Sequence, residues 1–208
     1  MQRGFVVTGT DTDVGKTIVG AGLTGALGGC YWKPIQAGLE TATDSERVSQ
    51  LTLAGSERII PEAYKLTTAC SPHEAARLDN VLIQQSELQL PETSRPLIVE
   101  GAGGVLVPIN DQQSMLDLFA AWALPVILVA RTKLGTINHS LLSIAALRSR
   151  DIDMGGVIFV GDTAHNSEQT ICDRGGVEHL GRLPWLEPLD AATLAQAMRK
   201  HINLAALG

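Results

Sequence analysis

Short apolar runs that do not alternate with polar residues constrain this chain more than any other feature. Phe5-Val6-Val7, Cys30-Tyr31-Trp32, Pro96-Leu97-Ile98-Val99, Pro125-Val126-Ile127-Leu128-Val129 and Gly156-Val157-Ile158-Phe159-Val160 each have the length of a strand or part of one, with no wet face. A strand with one face in water alternates, whereas runs of this kind fit parallel strands covered by helices on either side. Segments of helical period fall between them at 18–27, 44–53, 114–122, 138–148, 166–173 and 191–201. The alternation predicts an α/β fold built on a doubly wound, mainly parallel sheet with helices on both faces. Ligands of such sheets gather at the carboxyl ends of the strands. The stretch 55–96, interrupted by Pro61, Pro72 and Pro91, gives the weakest pattern and is expected to carry short helices or an insertion that lines the site.

The first strand runs into Gly9-Thr10-Asp11-Thr12-Asp13-Val14-Gly15-Lys16-Thr17, which opens a helix-compatible segment. A glycine-rich turn between a strand and a helix aims backbone N–H groups and the positive helix end at phosphates. A lysine there reaches the β/γ-phosphates, and a following hydroxyl reaches Mg²⁺. This reads as a phosphate-binding loop, and it narrows the expected fold to the P-loop NTPase type. Five residues, Thr10 to Val14, separate Gly9 from Gly15, one more than the common pattern has. Either Thr10 stands at the usual glycine position or the loop belongs to a variant class.

At 208 residues the chain is expected to be one domain, residues 1–208, large enough to bury its core without staples. A net charge of −6 and the lack of a Lys/Arg cluster give no footprint for nucleic acid. Cys30, Cys70 and Cys172 are far apart and odd in number, so they are expected to be buried thiols of a reducing cytosol. A strand begins almost at once, and the longest apolar run, 124–130, is far shorter than a membrane span, so a cytoplasmic protein without membrane contact is expected. The histidines show no paired metal spacing, and no Gly-x-Ser-x-Gly elbow is present.

Three further places carry chemistry at strand ends. Lys33, in Lys33-Pro34-Ile35-Gln36-Ala37-Gly38, would bring a second cation beside Lys16 toward a transferring phosphoryl group, or is a solvated strand-end lysine. Glu100 ends an apolar strand and opens Gly101-Ala102-Gly103-Gly104, a glycine-rich turn whose glycines either permit close backbone approach to a ligand or simply make a tight turn; an acid at that point is where a P-loop enzyme holds Mg²⁺. Asp44, near the start of the helix after Lys33, is either an N-cap or first-turn acid of that helix or completes a Thr17, Asp44, Glu100 set of hard oxygens. In Lys133-Leu134-Gly135-Thr136-Ile137-Asn138-His139, Thr136 or Asn138 caps the next helix, or the helix start receives a substrate carboxylate.

In chain order, the Gly9–Thr17 loop, Lys33-Pro34, Val99-Glu100-Gly101-Ala102-Gly103-Gly104 and Lys133-Leu134-Gly135 with Ile137-Asn138-His139 together resemble the dethiobiotin synthetases. The resemblance runs from the first strand to Pro184-Trp185-Leu186, and the long P-loop is part of that family's pattern. It implies a single P-loop ATP-dependent ligase domain. In that family 7,8-diaminopelargonic acid takes up CO₂ as a carbamate, which attacks the γ-phosphate of ATP; the second amine then closes the carbamic-phosphoric anhydride to a cyclic urea, releasing ADP and phosphate. Carried over, the resemblance implies that Thr12, Lys16 and Lys33 are catalytic. The nucleotide would be held by Asp13, Val14, Gly15, Lys16, Thr17, Ile18, Asp44, Glu100, Gly101, Ala102 and Gly103, with Pro184-Trp185-Leu186 on the adenine side. Thr17, Asp44 and Glu100 would hold Mg²⁺. The substrate would meet Thr12, Lys33 and Gly103, and its carboxylate would reach Gly135 and Asn138 of a second subunit, which implies a homodimer.

The chain departs from the family pattern at three places. Ala37 stands where a hydroxyl is common, Asp13 replaces a common glutamate, and Val160-Gly161-Asp162 lacks an asparagine that some members use on the nucleotide base. Two alternatives share the P-loop. Related amide-forming ligases usually carry a glutamine-hydrolysing domain, for which this chain has little room. Switch ATPases of the chromosome-partitioning and division-site type carry a signature lysine early in the loop, where this chain has Asp11.

Overall fold

The structure, a computed structural model, describes residues 3–52 and 55–208. Its main sheet contains β1 (Gly4–Gly9), β2 (Cys30–Trp32), β4 (Ile59–Ile60), β6 (Leu97–Gly104), β7 (Val126–Arg131), β8 (Met154–Val160) and β9 (His179–Leu183). The strand order is β4-β2-β6-β1-β7-β8-β9, and every neighbouring pair is parallel. From β1 the chain builds one half of the sheet, then crosses back to build the other. The carboxyl ends of β1, β6 and β2 therefore share one crevice, as a doubly wound sheet requires. A separate parallel pair, β3 (Ile35–Ala37) with β5 (Tyr64–Leu66), stands beside that crevice.

Helices cover both faces, as the unbroken apolar runs require. On one face α1 (Lys16–Ala26), α2 (Asp44–Leu51) and α7 (Ala191–His201) bury Val19, Leu23, Val48, Leu194 and Met198 against Val7, Ile98, Ile127 and Ile158. On the other, α3 (Pro72–Leu78), α4 (Met115–Trp122), α5 (Thr136–Arg148) and α6 (His165–Gly175) pack Ala75, Phe119, Trp122, Leu147 and Ile171 over Val6, Val99, Leu128 and Phe159. Among the described residues no helix is long and apolar enough to cross a membrane.

Several expectations need correction. The glycines after Glu100 are not a turn: β6 continues through them to Gly104, which pairs with Gly9 after a register shift in β1. With Ala102 the one residue of the four that carries a side chain, that stretch of strand lies directly against the phosphate loop. Neither Thr136 nor Asn138 caps α5; the N-cap is Gly135, in the left-handed region at φ 94°, with no side-chain cap. Of the two helix-end places open to Asp44, it takes the first turn, as the first residue of α2, and not the cap, because Thr43 and Glu46 form a capping box around it. Leu53, the expected end of that helix, lies outside the described residues. Cys30 and Cys172 are buried as expected, but Cys70 is exposed. Within 55–96 the structure has α3, the short strands β4 and β5, and two turns of 3₁₀ helix.

Candidate active site

Register brings the charged groups together. β2 pairs with β6 through Cys30↔Leu97, Tyr31↔Ile98 and Trp32↔Val99, so Lys33, just past the end of β2, comes side by side with Glu100, still within β6. On the other side of β6, Val7 of β1 is opposite Glu100, two residues before Gly9. Side chains alternate along a strand, so Glu100 points to the same side as Ile98, toward α1. Thr17, in the first turn of α1, meets it there.

The loop itself presents bare backbone. Gly15, the N-cap of α1, sits at φ 101° with no side-chain cap and no acid in the first turn, which leaves N–H groups for an anion. Glycine is required at this position, because a Cβ would be strained at that φ and would stand 3.1 Å from both Val160 methyl carbons. Asp11 organises the loop's early half. Its carboxylate accepts from the Thr12 N–H at 2.8 Å and pairs with Arg131 at 2.8 Å, and its carbonyl accepts from Lys16 Nζ at 2.8 Å. Burial first, then repulsion from Lys33, lowers the Lys16 ammonium to a pKa of about 8.

Lys33 is 5% exposed and sits between two acids, with Nζ 2.8 Å from Asp44 Oδ2 and 2.9 Å from Glu100 Oε1. It also donates to the Gly101 carbonyl at 3.2 Å. Burial alone would lower its pKa, but Glu100 and Asp44 outweigh that and hold it above the usual lysine value, so it stays a cation. Burial likewise works to raise the Asp44 pKa, and Lys33 more than reverses it, so this acid titrates below its ordinary value. The Thr17 hydroxyl lies 3.0 Å from both Asp44 Oδ1 and Glu100 Oε1. Its one proton can serve only one of them at a time, so three oxygens converge with fewer protons than their contacts require. That is a donor set suited to a small hard cation.

These groups open into a crevice of about 710 Å³, whose wall also includes Thr12, Gln36, Ala37, Ala102 and Gly103. Gly101 contributes its carbonyl, and a Cβ there would strike Phe119 at 2.9 Å. On the other flank of the loop, a narrower cavity of about 180 Å³ runs between Asp13, Val14, Gly15 and Ile18 and Pro184, Trp185 and Leu186, with Asp162 and Thr132 also lining it. Trp185 is 63% exposed. Gly135 and Asn138 are exposed at the start of α5, outside the lining of this chain's crevice. A shallow hollow of about 670 Å³ between Arg3 and residues 90–95 lies at the amino ends of β1 and β6, away from these groups.

Two side chains in the site escaped the sequence reading. Gln36 accepts the Asp44 N–H at 3.1 Å and donates to the Ala37 and Gly38 carbonyls, tying the first residue of α2 to β3. Tyr31 donates its hydroxyl to Glu100 Oε2 at 2.8 Å. A phenol two residues before Lys33, on the same face of an otherwise apolar strand, was the available signal.

A family model for AAA domains matches residues 3–193. The chain is 56% identical over 197 residues to the ATP-dependent dethiobiotin synthetase BioD of Rhizorhabdus wittichii, covering 95% of this chain and 94% of that protein. It is 56% identical over 206 residues to the protein of the same name from a Bradyrhizobium species, covering 99% and 98%. For that of Brucella ovis the identity is 51% over 204 residues, covering 98% and 96%. Among solved structures it is similar to the Pyrococcus furiosus cell division ATPase MinD, with TM-score 0.55 and 13% identity over 96% of this chain and 99% of that one. It is also similar to a ParA family ATPase from Chlorobium tepidum, with TM-score 0.56 and 10% identity over 100% and 93%. At such identities the two structures speak to the fold alone.

Proposed function

The chain belongs to the dethiobiotin synthetase family, and from that membership and the geometry of its crevice we infer that it makes dethiobiotin from 7,8-diaminopelargonic acid, CO₂ and ATP. The observation that carries the reading is the Lys33, Asp44, Glu100 and Thr17 cluster beside a phosphate loop. One amine of the substrate takes up CO₂ as a carbamate. A carbamate oxygen attacks the γ-phosphorus and ADP leaves; the second amine then attacks the carbamoyl carbon, and phosphate leaves as the ring closes. No step needs a side-chain nucleophile. What each needs is neutralised charge at fixed positions, which preorganised cations and N–H groups provide.

In this reading the N–H groups around Gly15 receive the phosphates, and Lys16, already turned back over the loop onto the Asp11 carbonyl, swings little to reach them. Incoming phosphate charge raises the Lys16 pKa again and keeps it an ammonium. Lys33 faces the transferring group from the other side, and Thr12, whose N–H is pinned by Asp11, lines the space where the carbamate must lie. Thr17, Asp44 and Glu100 would hold Mg²⁺, and their converging, proton-poor oxygens fit that ion. Bound there, Mg²⁺ would supply positive charge to the β- and γ-phosphates. Asp13, Val14 and Ile18, with Pro184, Trp185 and Leu186, border the narrower cavity, where the nucleotide base would lie.

We further read residues 1–208 as one catalytic domain of a cytoplasmic homodimer. The position of Gly135 and Asn138, at a bare helix start outside their own crevice, supports a role in the partner's substrate site. Asp11 argues against a nucleotide switch, since its carboxylate is engaged by Arg131 of the same chain. Incubation with ATP, Mg²⁺, bicarbonate and diaminopelargonic acid is expected to yield dethiobiotin by mass spectrometry. No product, with ATP turnover depending instead on glutamine or a protein partner, would overturn the reading.

A further inference from the structure

Glu100 is 1% exposed, and its two oxygens have different tasks. Oε1 faces the crevice, where Thr17 and Lys33 meet it. Oε2 points into the floor, where the hydroxyl of Tyr31, itself 0% exposed, donates to it at 2.8 Å. α1 leaves room for this contact by having glycine at position 20. A Cβ on Gly20 would stand 3.2 Å from Tyr31 Cε2 and 3.4 Å from Glu100 Oε2.

We propose that Tyr31 is a positioning residue for the metal-dependent step: its hydroxyl fixes the Glu100 carboxylate so that Oε1 is presented to the cation held with Thr17 and Asp44. The inference rests on the reading of Glu100 as a metal-holding residue. A carboxylate that donates one oxygen to a cation is oriented by what bonds its other oxygen, and loss of such a partner typically weakens the metal rather than the fold. Without the hydroxyl, Oε2 would be a buried acceptor with no donor, and the carboxylate would turn to find one.

Tyr31→Phe keeps the ring and removes only the donor. It is expected to raise the Mg²⁺ concentration for half-maximal turnover about tenfold, with an unchanged KM for the diamine. The same loss should appear without turnover, as weaker Mn²⁺ binding to the enzyme with ADP, read by electron paramagnetic resonance. In a Glu100→Gln background, Tyr31→Phe should add less than about twofold, because the two residues act as one unit. Gly20→Ala, which presses on the same contact from α1, should shift the metal requirement in the same direction and serves where Tyr31→Phe folds poorly. A normal metal requirement in both Tyr31→Phe and Gly20→Ala, or a Tyr31→Phe effect undiminished in the Glu100→Gln background, would overturn the proposal. If Glu100→Gln alone leaves metal binding intact, the assignment of Glu100 fails instead.

Discussion

Replacing Lys33 by methionine removes a positive charge from a site that is 5% exposed while keeping an unbranched side chain one atom shorter. Asp44 and Glu100 then face each other across the Thr17 hydroxyl, each 3.0 Å from it, with no cation between them. Removing one partner of a buried ion pair costs about 3–5 kcal/mol. The Asp44 side chain is 26% exposed, so solvent screens part of the repulsion and the lower end applies. At about 2–4 °C per kcal/mol for a domain of this size, a loss of about 3 kcal/mol lowers the melting temperature by roughly 6–12 °C. Millimolar Mg²⁺ should recover part of that loss in the variant and do less for the parent, since a divalent ion supplies the missing charge between the same oxygens. Turnover should fall by about 10²–10³ with the protein still folded. Differential scanning calorimetry with and without Mg²⁺, beside a dethiobiotin assay, measures all three quantities. A variant that melts with the parent and gains no more from Mg²⁺ would refute the idea that Lys33 compensates two buried acids.

Nucleotide affinity should depend on pH through Lys16. Its lowered pKa means that in the nucleotide-free protein the neutral amine forms as pH rises through about 8. The ammonium is the form that phosphate binds, so ATP affinity should be level below that pH and fall above it, approaching about tenfold per pH unit. Lys16→Arg, which keeps its charge, should flatten the profile in isothermal titration; a slope that survives the change would assign the proton elsewhere. Gln36→Met should leave the Asp44 N–H without its acceptor, cost about 1 kcal/mol and raise the Mg²⁺ requirement several-fold. An unaltered Mg²⁺ titration would mean that the capping box of Thr43 and Glu46 fixes Asp44 unaided.

Much of the fold was legible because its strands announce themselves. The five apolar runs became β1, β2, β6, β7 and β8, buried on both faces as their composition requires. β9 was missed because it is an edge strand, His179-Leu180-Gly181-Arg182-Leu183, with polar and small residues where a central strand has apolar ones. The phosphate loop, Lys33 and Glu100 were visible because a charge at the end of an apolar strand is unusual and the geometry of such ends is common to all doubly wound sheets. Tyr31 and Gln36 were not, since each acts through a contact that only the folded chain makes: Tyr31 reads as core until register puts Ile98 opposite it and Glu100 within reach. The glycines after Glu100 read as a turn because glycine permits one. The neighbouring loop, packed against β6 at Gly104, shows that the close approach these glycines permit is made to the chain's own backbone.

Apart from the Lys33–Asp44 pair, the cluster at the crevice is built from contacts distant in the chain. Thr17 and Glu100 are 83 positions apart in the chain, Lys33 and Glu100 are 67 apart, and Thr17 and Asp44 are 27 apart. Contacts of this span form only after the intervening loops have closed and parallel strands from distant segments have found their register. The cation site therefore does not exist in a half-folded chain, even one whose phosphate loop has already formed on β1 and α1. Binding at the cluster is a readout of completed folding. A nucleotide–metal pair that engages Thr17, Asp44 and Glu100 together should slow hydrogen exchange across the β2, β6 and β1 strands as a block, and not in the loop alone.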